Sequence, residues 1–292
     1  MKQMWIIFLA LSIGACRVNQ QEQQSASPQV EADLVRWVAY QPGQGTLISA
    51  HRGGKGYPGY PENCLETMQY VQEQIPNAVF EVDVAQTQDG QLVLMHDDQL
   101  DRTTNGNGPI QQHTLAELSE LLLTDDEKEL TAYRIPTLEA VLDWAKETKA
   151  LLTVDIKRSV DPLVVWEFIR QADAQHQCIM ITYSLATAQK LYKYDPGVVM
   201  SVSMRNQEEV ERALNSGIPR QNMIAFTGTR KSPPSLFADL HAAGIRCIFG
   251  TLGNLDRSRE ARDGSLYRSL EQDGVDIFAT DRPLEVAKAL GL

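Results

Sequence analysis

Between residues 51 and 97 the chain places His51-Arg52-Gly53, Glu62-Asn63, Glu81-Val82-Asp83 and His96-Asp97. These segments bring two imidazoles, a guanidinium and several carboxylates, the groups that metal-assisted cleavage of a phosphodiester needs. Carboxylate oxygens hold a hard divalent cation, histidines move protons as general base and general acid, and an arginine grips a phosphate through two parallel N–H bonds. No residue among them is diagnostic alone, but their order and setting are. His51 ends the mostly apolar run 47–50 and His96 ends the run 92–95. Glu81 and Asp83 lie two apart on a strand-like run and so face one side. Asp155-Ile156-Lys157 repeats that spacing further along, again with both polar side chains on one face.

Such groups work only if a fold gathers them. Strand-like runs occur at 47–50, 78–84, 92–95, 151–156, 178–183, 198–202, 223–226, 246–249 and 276–279. Between most of them the spacing predicts helices, over 62–74, 114–123, 137–148, 162–174, 208–216 and 234–243. Pro136, Pro162 and Pro234 sit where helix starts tolerate proline. Alternating strands and helices indicate a parallel sheet, and about 260 residues suit one (β/α)8 TIM barrel. Nine runs exceed the barrel's eight strands. Val84 and Leu92 are joined by a short turn-rich stretch with Asp89-Gly90, which suits a hairpin rather than a helical crossover. Its return strand delivers His96 to the catalytic face, with a small insertion after the His96-containing segment. In a barrel the carboxyl ends of different strands converge, so His51, Glu81, Asp83, Asp155 and Lys157 become neighbours, and Glu62 joins from the loop after the first strand.

The amino terminus is a separate matter. Lys2 precedes an apolar segment, Met4 to Ile13, and Gly14-Ala15 precede Cys16, the pattern of a signal peptide over residues 1–15. The apolar stretch is too short to span a bilayer. The setting Ile13-Gly14-Ala15-Cys16 resembles a bacterial lipoprotein signal, whose mature end is a lipidated cysteine. Residues 16–31, rich in Gln, Ser and Glu, then read as a flexible tether, and 32–292 as the barrel domain. This implies a cell-envelope lipoprotein held to a bacterial membrane through Cys16, on its periplasmic or cell-surface face, with the choice between inner and outer membrane left open. The formal net charge of −11 disfavours nonspecific attraction to nucleic acid. With Cys16 assigned to lipidation, Cys64, Cys178 and Cys247 make an odd set without a close pair, so no disulfide framework is expected. Cys178 and Cys247 read as buried, and Cys64, next to the site motif, as accessible.

Taken in order, His51-Arg52-Gly53, Pro61-Glu62-Asn63, Glu81-Val82-Asp83-Val84 with Asp89-Gly90, Leu94-Met95-His96-Asp97, Asp101 to Gly106, Val154 to Lys157 and Asp276 to Pro283 resemble the glycerophosphodiester phosphodiesterase family. That family is part of the phosphatidylinositol-phospholipase-C-like superfamily, and the likeness runs from about Leu47 onward. The resemblance implies a metal-dependent hydrolase that cleaves small glycerophosphodiesters to glycerol 3-phosphate and an alcohol. It places Glu62, Glu81, Asp83 and Asp155 on a divalent cation, and Arg52 and Lys157 beside the phosphate oxygens. His51 and His96 become base and acid in an order left open, as is the choice between water and a substrate hydroxyl as nucleophile. An all-oxygen ligand set favours Ca²⁺ or Mg²⁺. Three departures from the family pattern stand out: Asp155 where a glutamate is usual, Cys64 after Glu-Asn, and a late strand that keeps an aromatic only at Phe249. A phospholipase-D-like enzyme acting on acylated phospholipids, with Tyr57 and Tyr60 as an apolar rim, and a noncatalytic phosphoester-binding lipoprotein are the competing readings. The histidine pair argues against the latter, because binding alone needs no acid and base.

Overall fold

The computed structural model describes Leu34 and residues 37–292. The expected signal peptide, Cys16 and the tether lie outside the described residues. All nine apolar runs form strands: β1 (Leu47–Ala50), β2 (Val79–Gln86), β3 (Leu92–Leu94), β6 (Leu151–Ile156), β7 (Cys178–Thr182), β8 (Met200–Ser203), β9 (Met223–Phe226), β10 (Cys247–Gly250) and β11 (Ile277–Thr280). The strands β1, β2, β6, β7, β8, β9, β10 and β11 pair in parallel in that order, and β11 pairs back to β1. This closes a (β/α)8 barrel. The ninth strand, β3, runs antiparallel to the carboxyl half of β2, with Val84 opposite Leu94 and Gln86 opposite Leu92. It forms the expected hairpin, and Met95 N–H donates to Asp83 O at 2.9 Å, which sets His96 directly above the end of β2.

Alternation along the strands sorts the core into two layers. Ile179, Val199, Ile224, Ile248 and Ile277 point inward and pack together, with Leu34 and Val38 joining them. Their neighbours Met180, Met200, Ala225, Phe249 and Phe278 point outward against the helices. Local signals explain the helices that flank them. Thr137 caps α3 (Leu138–Thr148), Asp161 with Pro162 opens α4 (Pro162–Gln171), and Asn206 caps α6 (Gln207–Leu214), each side-chain oxygen accepting a backbone N–H of the first turn. Helix α5 (Leu185–Tyr194), capped by Ser184, supplies a crossover that the apolar spacing did not reveal.

The segment between His96 and Pro136 is the expected insertion, but its internal structure differs from the reading. The helix expected over 114–123 lasts one turn, α2 (Leu115–Leu118), and is followed by β4 (Leu122–Thr124) paired with β5 (Leu130–Arg134). Leu118 and Leu123 both enter a small second core with Met95, Leu100 and Ile110. One helical turn followed by a strand buries the same leucines as a longer helix would. Cys64 is fully buried in this second core rather than accessible, and burial together with Glu66 pushes its thiol up to about 12. Cys178 and Cys247 are buried and free, as read.

Candidate active site

The site lies at the carboxyl ends of β1, β2 and β6, where the barrel collects its polar residues. β1 ends at Ala50, and the chain turns sharply through His51–Gly53 with Arg52 in the left-handed region at φ 55°. That costly conformation for a non-glycine residue aims the Arg52 amide at Glu81, whose Oε2 accepts it at 2.6 Å. Asn63, also at positive φ, locks the next carboxylate, Asp83. Its Nδ2 donates to Asp83 Oδ2 at 2.8 Å, and its Oδ1 accepts the Asp83 amide at 2.9 Å. Lys157 Nζ donates to the other oxygen of Asp83 at 2.7 Å. In the parallel register Asp83 stands opposite Asp155, so the spacing of two on each strand puts Glu81, Asp83 and Asp155 on one inward face.

Glu81, Asp83 and Asp155 offer oxygens that all lie within 4.8 Å of one another. Burial, Asp83 and Asp155 push the Glu81 carboxyl well above the usual carboxylate range. Burial likewise raises Asp155. Burial acts on Asp83 in the same direction, yet Lys157 and Asn63 hold it below its ordinary value. Asp155 Oδ1 is buried with no hydrogen-bond partner. Three converging carboxylates with one orphaned oxygen are an all-oxygen donor set suited to a divalent cation.

Glu62 does not belong to this group, contrary to the expectation. It is 3% exposed, and both its oxygens are taken by Arg52 Nη1 and by the Arg102 guanidinium, at 2.6–3.1 Å. Despite its burial, Arg102 and Arg52 hold its carboxyl low. Two guanidiniums already neutralise it, and in this geometry it anchors Arg52. Arg52 keeps a buried Nε without a partner.

Both histidines are oriented from behind. His51 Nδ1 lies 2.7 Å from Asp281 Oδ1, and His96 Nδ1 lies 2.6 Å from Asp97 Oδ1. A carboxylate at Nδ1 fixes the proton there and leaves Nε2 for chemistry. His51 Nε2 is 3.9 Å from Glu81 Oε2, beside the carboxylates. Asp97 is held low first by Arg102 and then by His96, and Asp281 by His51 and Lys55 against the effect of burial. Arg102 therefore ties the two halves together, bonding Asp97 behind His96 and Glu62 behind Arg52. Sequence reasoning gave no role to Asp281, Asn63 or Arg102. Asp281 carried a usable signal, its place just beyond the last barrel strand.

Two cavities meet at this cluster. A barrel-mouth cavity of about 120 Å³ is lined by His51, Glu81, Phe226, Ile248 and Leu252. An open cleft of about 1070 Å³ borders the insertion and is lined by His96, Lys157, Arg158 and Gln111. Asp155 and Tyr183 line both. Phe249, the aromatic kept in the late strand, is buried among the outer helices, while Ile248, next to it, turns inward. Tyr57 and Tyr60 form no open rim. Tyr60 stacks on Tyr70 at 4.1 Å, and Tyr57 packs on Tyr70 edge-on and accepts the Leu284 amide.

Comparison with known proteins identifies the family. The model of the glycerophosphoryl diester phosphodiesterase family matches residues 51–285. A putative glycerophosphodiester phosphodiesterase of Bacillus subtilis, YhdW, is 32% identical over 249 residues, 81% of this chain and 94% of its own length. A second B. subtilis protein, a glycerophosphodiester phosphodiesterase, is 40% identical over 106 residues, which span 33% of this chain and only 35% of that relative. A solved glycerophosphoryl diester phosphodiesterase from Parabacteroides distasonis superposes with a TM-score of 0.85 at 34% identity, over 89% of this chain and 91% of that one. An Oleispira antarctica phosphodiesterase, solved with the product sn-glycerol-3-phosphate, shares the fold with a TM-score of 0.67 at 23% identity, over 84% and 97% of the two chains. The carboxylate trio, the paired histidines and these matches together place the chain in the glycerophosphoryl diester phosphodiesterase family.

Proposed function

We propose that this protein hydrolyses small glycerophosphodiesters, such as glycerophosphocholine or glycerophosphoethanolamine, to glycerol 3-phosphate and the free alcohol, using Ca²⁺ or Mg²⁺ held by Glu81, Asp83 and Asp155. The observation that carries this reading is the pair of aspartate-backed histidines, His51 bordering the barrel mouth and His96 the cleft, at two cavities that share Asp155 of the carboxylate trio. When bound, the cation neutralises charge on the phosphoryl oxygens. Arg52, through its unpartnered Nε, and Lys157 add positive charge on the same face.

We place the glycerol half at the barrel mouth, the cavity of about 120 Å³ bordered by His51 and Glu81. The alcohol half then extends into the open cleft beside His96. In this orientation His51 removes a proton from an attacking water, whose oxygen bonds to phosphorus. The bond from phosphorus to the alcohol oxygen breaks, and His96 delivers a proton to that departing oxygen. Phosphate stays on the glycerol. The Oleispira protein, with sn-glycerol-3-phosphate as its product, supports the same product here. We further propose that Cys16 carries a lipid anchor that holds the barrel at a membrane of the cell envelope, on the strength of the Ile13-Gly14-Ala15-Cys16 setting.

A panel of deacylated diesters and intact lysophospholipids, with products identified by mass spectrometry, tests the substrate. Glycerol 3-phosphate from the deacylated compounds is the expected result. Turnover confined to acylated substrates, or binding without product, would overturn the proposal.

A further inference from the structure

Tyr183 follows β7 directly and combines two properties that rarely coincide. It is 74% exposed, the largest exposure among the big hydrophobic side chains described, yet its hydroxyl reaches into the site and donates to Asp155 Oδ2 at 2.7 Å. Asp155 thus has one oxygen satisfied by a phenol and the other, Oδ1, buried and unpartnered beside Glu81 and Asp83. An aspartate with both oxygens free samples several orientations, whereas a phenol bonded to one oxygen leaves a single lone-pair face for a cation. With Asp155 and Ile181, Tyr183 lines both the barrel mouth and the open cleft and so stands at their border. An exposed aromatic face at the border of a substrate cleft otherwise gains nothing from standing in water.

We propose that Tyr183 is a positioning residue with two separable parts: its hydroxyl sets Asp155 for the cation, and its ring forms the wall on which the alcohol half of the substrate lies. The inference rests on the cation and substrate assignments proposed above. Removing the hydroxyl alone, in Tyr183→Phe, frees Asp155 while keeping the wall. Removing the ring, in Tyr183→Ala, frees Asp155 and takes away the wall. Because the side chain is mostly exposed and makes one side-chain hydrogen bond, both variants keep the fold.

The test is calorimetric titration of the metal-stripped proteins with Ca²⁺ and with Mg²⁺, followed by steady-state kinetics on glycerophosphocholine at saturating cation. Tyr183→Phe should bind the cation about 10-fold more weakly, the scale for losing a partner that orients a metal ligand, with KM for the diester unchanged. Tyr183→Ala should show the same cation loss and, in addition, a KM about 5-fold higher, with kcat at saturating cation and substrate close to that of Tyr183→Phe. Wild-type cation affinity in Tyr183→Phe would overturn the positioning claim, and equal KM values in the two variants would overturn the wall. The titration needs no substrate. If the wild-type protein binds cation but cleaves no diester, the proposed function fails while the hydroxyl half of this inference is still decided.

Discussion

Asp281→Ala isolates the least expected member of the site. Asp281 lies 230 positions from His51 in sequence, pairs with Lys55 but with neither Arg52 nor Lys157, and meets the proposed chemistry through the 2.7 Å contact with His51 Nδ1. Without it the imidazole loses the acceptor that fixes its proton on Nδ1, so the fraction of His51 presenting a free Nε2 falls along with its alignment. Losing a positioned base costs ~10² or more in kcat, and an orienting carboxylate in comparable arrangements costs up to ~10⁴. The expected fall for Asp281→Ala is therefore ~10², which corresponds to ~2.7 kcal/mol. Because the whole effect passes through His51, a double variant carrying His51→Ala and Asp281→Ala should be no slower than His51→Ala alone, a coupling of about the same ~2.7 kcal/mol. The backbone amide of Asp281 bonds Asp256 and survives the change, while Gly253 N–H loses its acceptor, so thermal unfolding of each variant provides the structural control. The assay is kcat on glycerophosphocholine at saturating cation. Additive losses in the double variant, or wild-type kcat in Asp281→Ala, would show that Asp281 does not act through His51.

Three further outcomes follow from the geometry. Glu62→Gln strands Arg52 and Arg102 and should destabilise the fold by roughly 3 kcal/mol in denaturant unfolding while leaving cation affinity intact, whereas Glu81→Gln should weaken the cation by ~10-fold or more; a matching loss of cation affinity in Glu62→Gln would return Glu62 to the ligand set. Burial raises both Glu81 and Asp155, and any proton on them must leave before a cation binds, so affinity should climb with pH until both are ionised and binding should release more protons in mild acid than at about pH 8. Titrations in buffers of different ionisation enthalpy measure that release, and its absence at acid pH contradicts the assignment. Cys16→Ser should move the protein from the membrane to the soluble fraction with unchanged specific activity; continued membrane association would mean that another surface binds lipid.

The strand framework was legible where a run met a chemical residue, as at Ala50 before His51 and Met95 before His96, and where Glu81-Val82-Asp83 aligned with Asp155-Ile156-Lys157 by the period of two. Even the surplus strand was explicable from the Asp89-Gly90 turn. What the sequence hid depended on contacts between distant segments. Glu62 has the right type and place for a ligand, and only the arrival of Arg102 from the insertion turns it into an anchor. Phe249 and Ile248 are one residue apart, and the alternation of a strand sends one to the outer helices and the other to the barrel mouth. The one-turn helix at Leu115–Leu118 failed as a longer expectation because the same leucine spacing is satisfied by a turn and a strand over a shared core. Asp281 and Asn63 stood within motifs already singled out, but neither has a partner near it in sequence to betray its role.

The central claim is that Glu81, Asp83 and Asp155 hold a divalent cation on which diester cleavage depends, with phosphate left on glycerol. The most direct test is turnover of glycerophosphocholine by metal-stripped protein in chelator, then after addition of Ca²⁺ or Mg²⁺ in excess, with both products identified by mass spectrometry. The account predicts no turnover in chelator, recovery on adding the cation, and glycerol 3-phosphate with choline as the products. Full turnover in chelator, or phosphocholine with glycerol as the products, would contradict it.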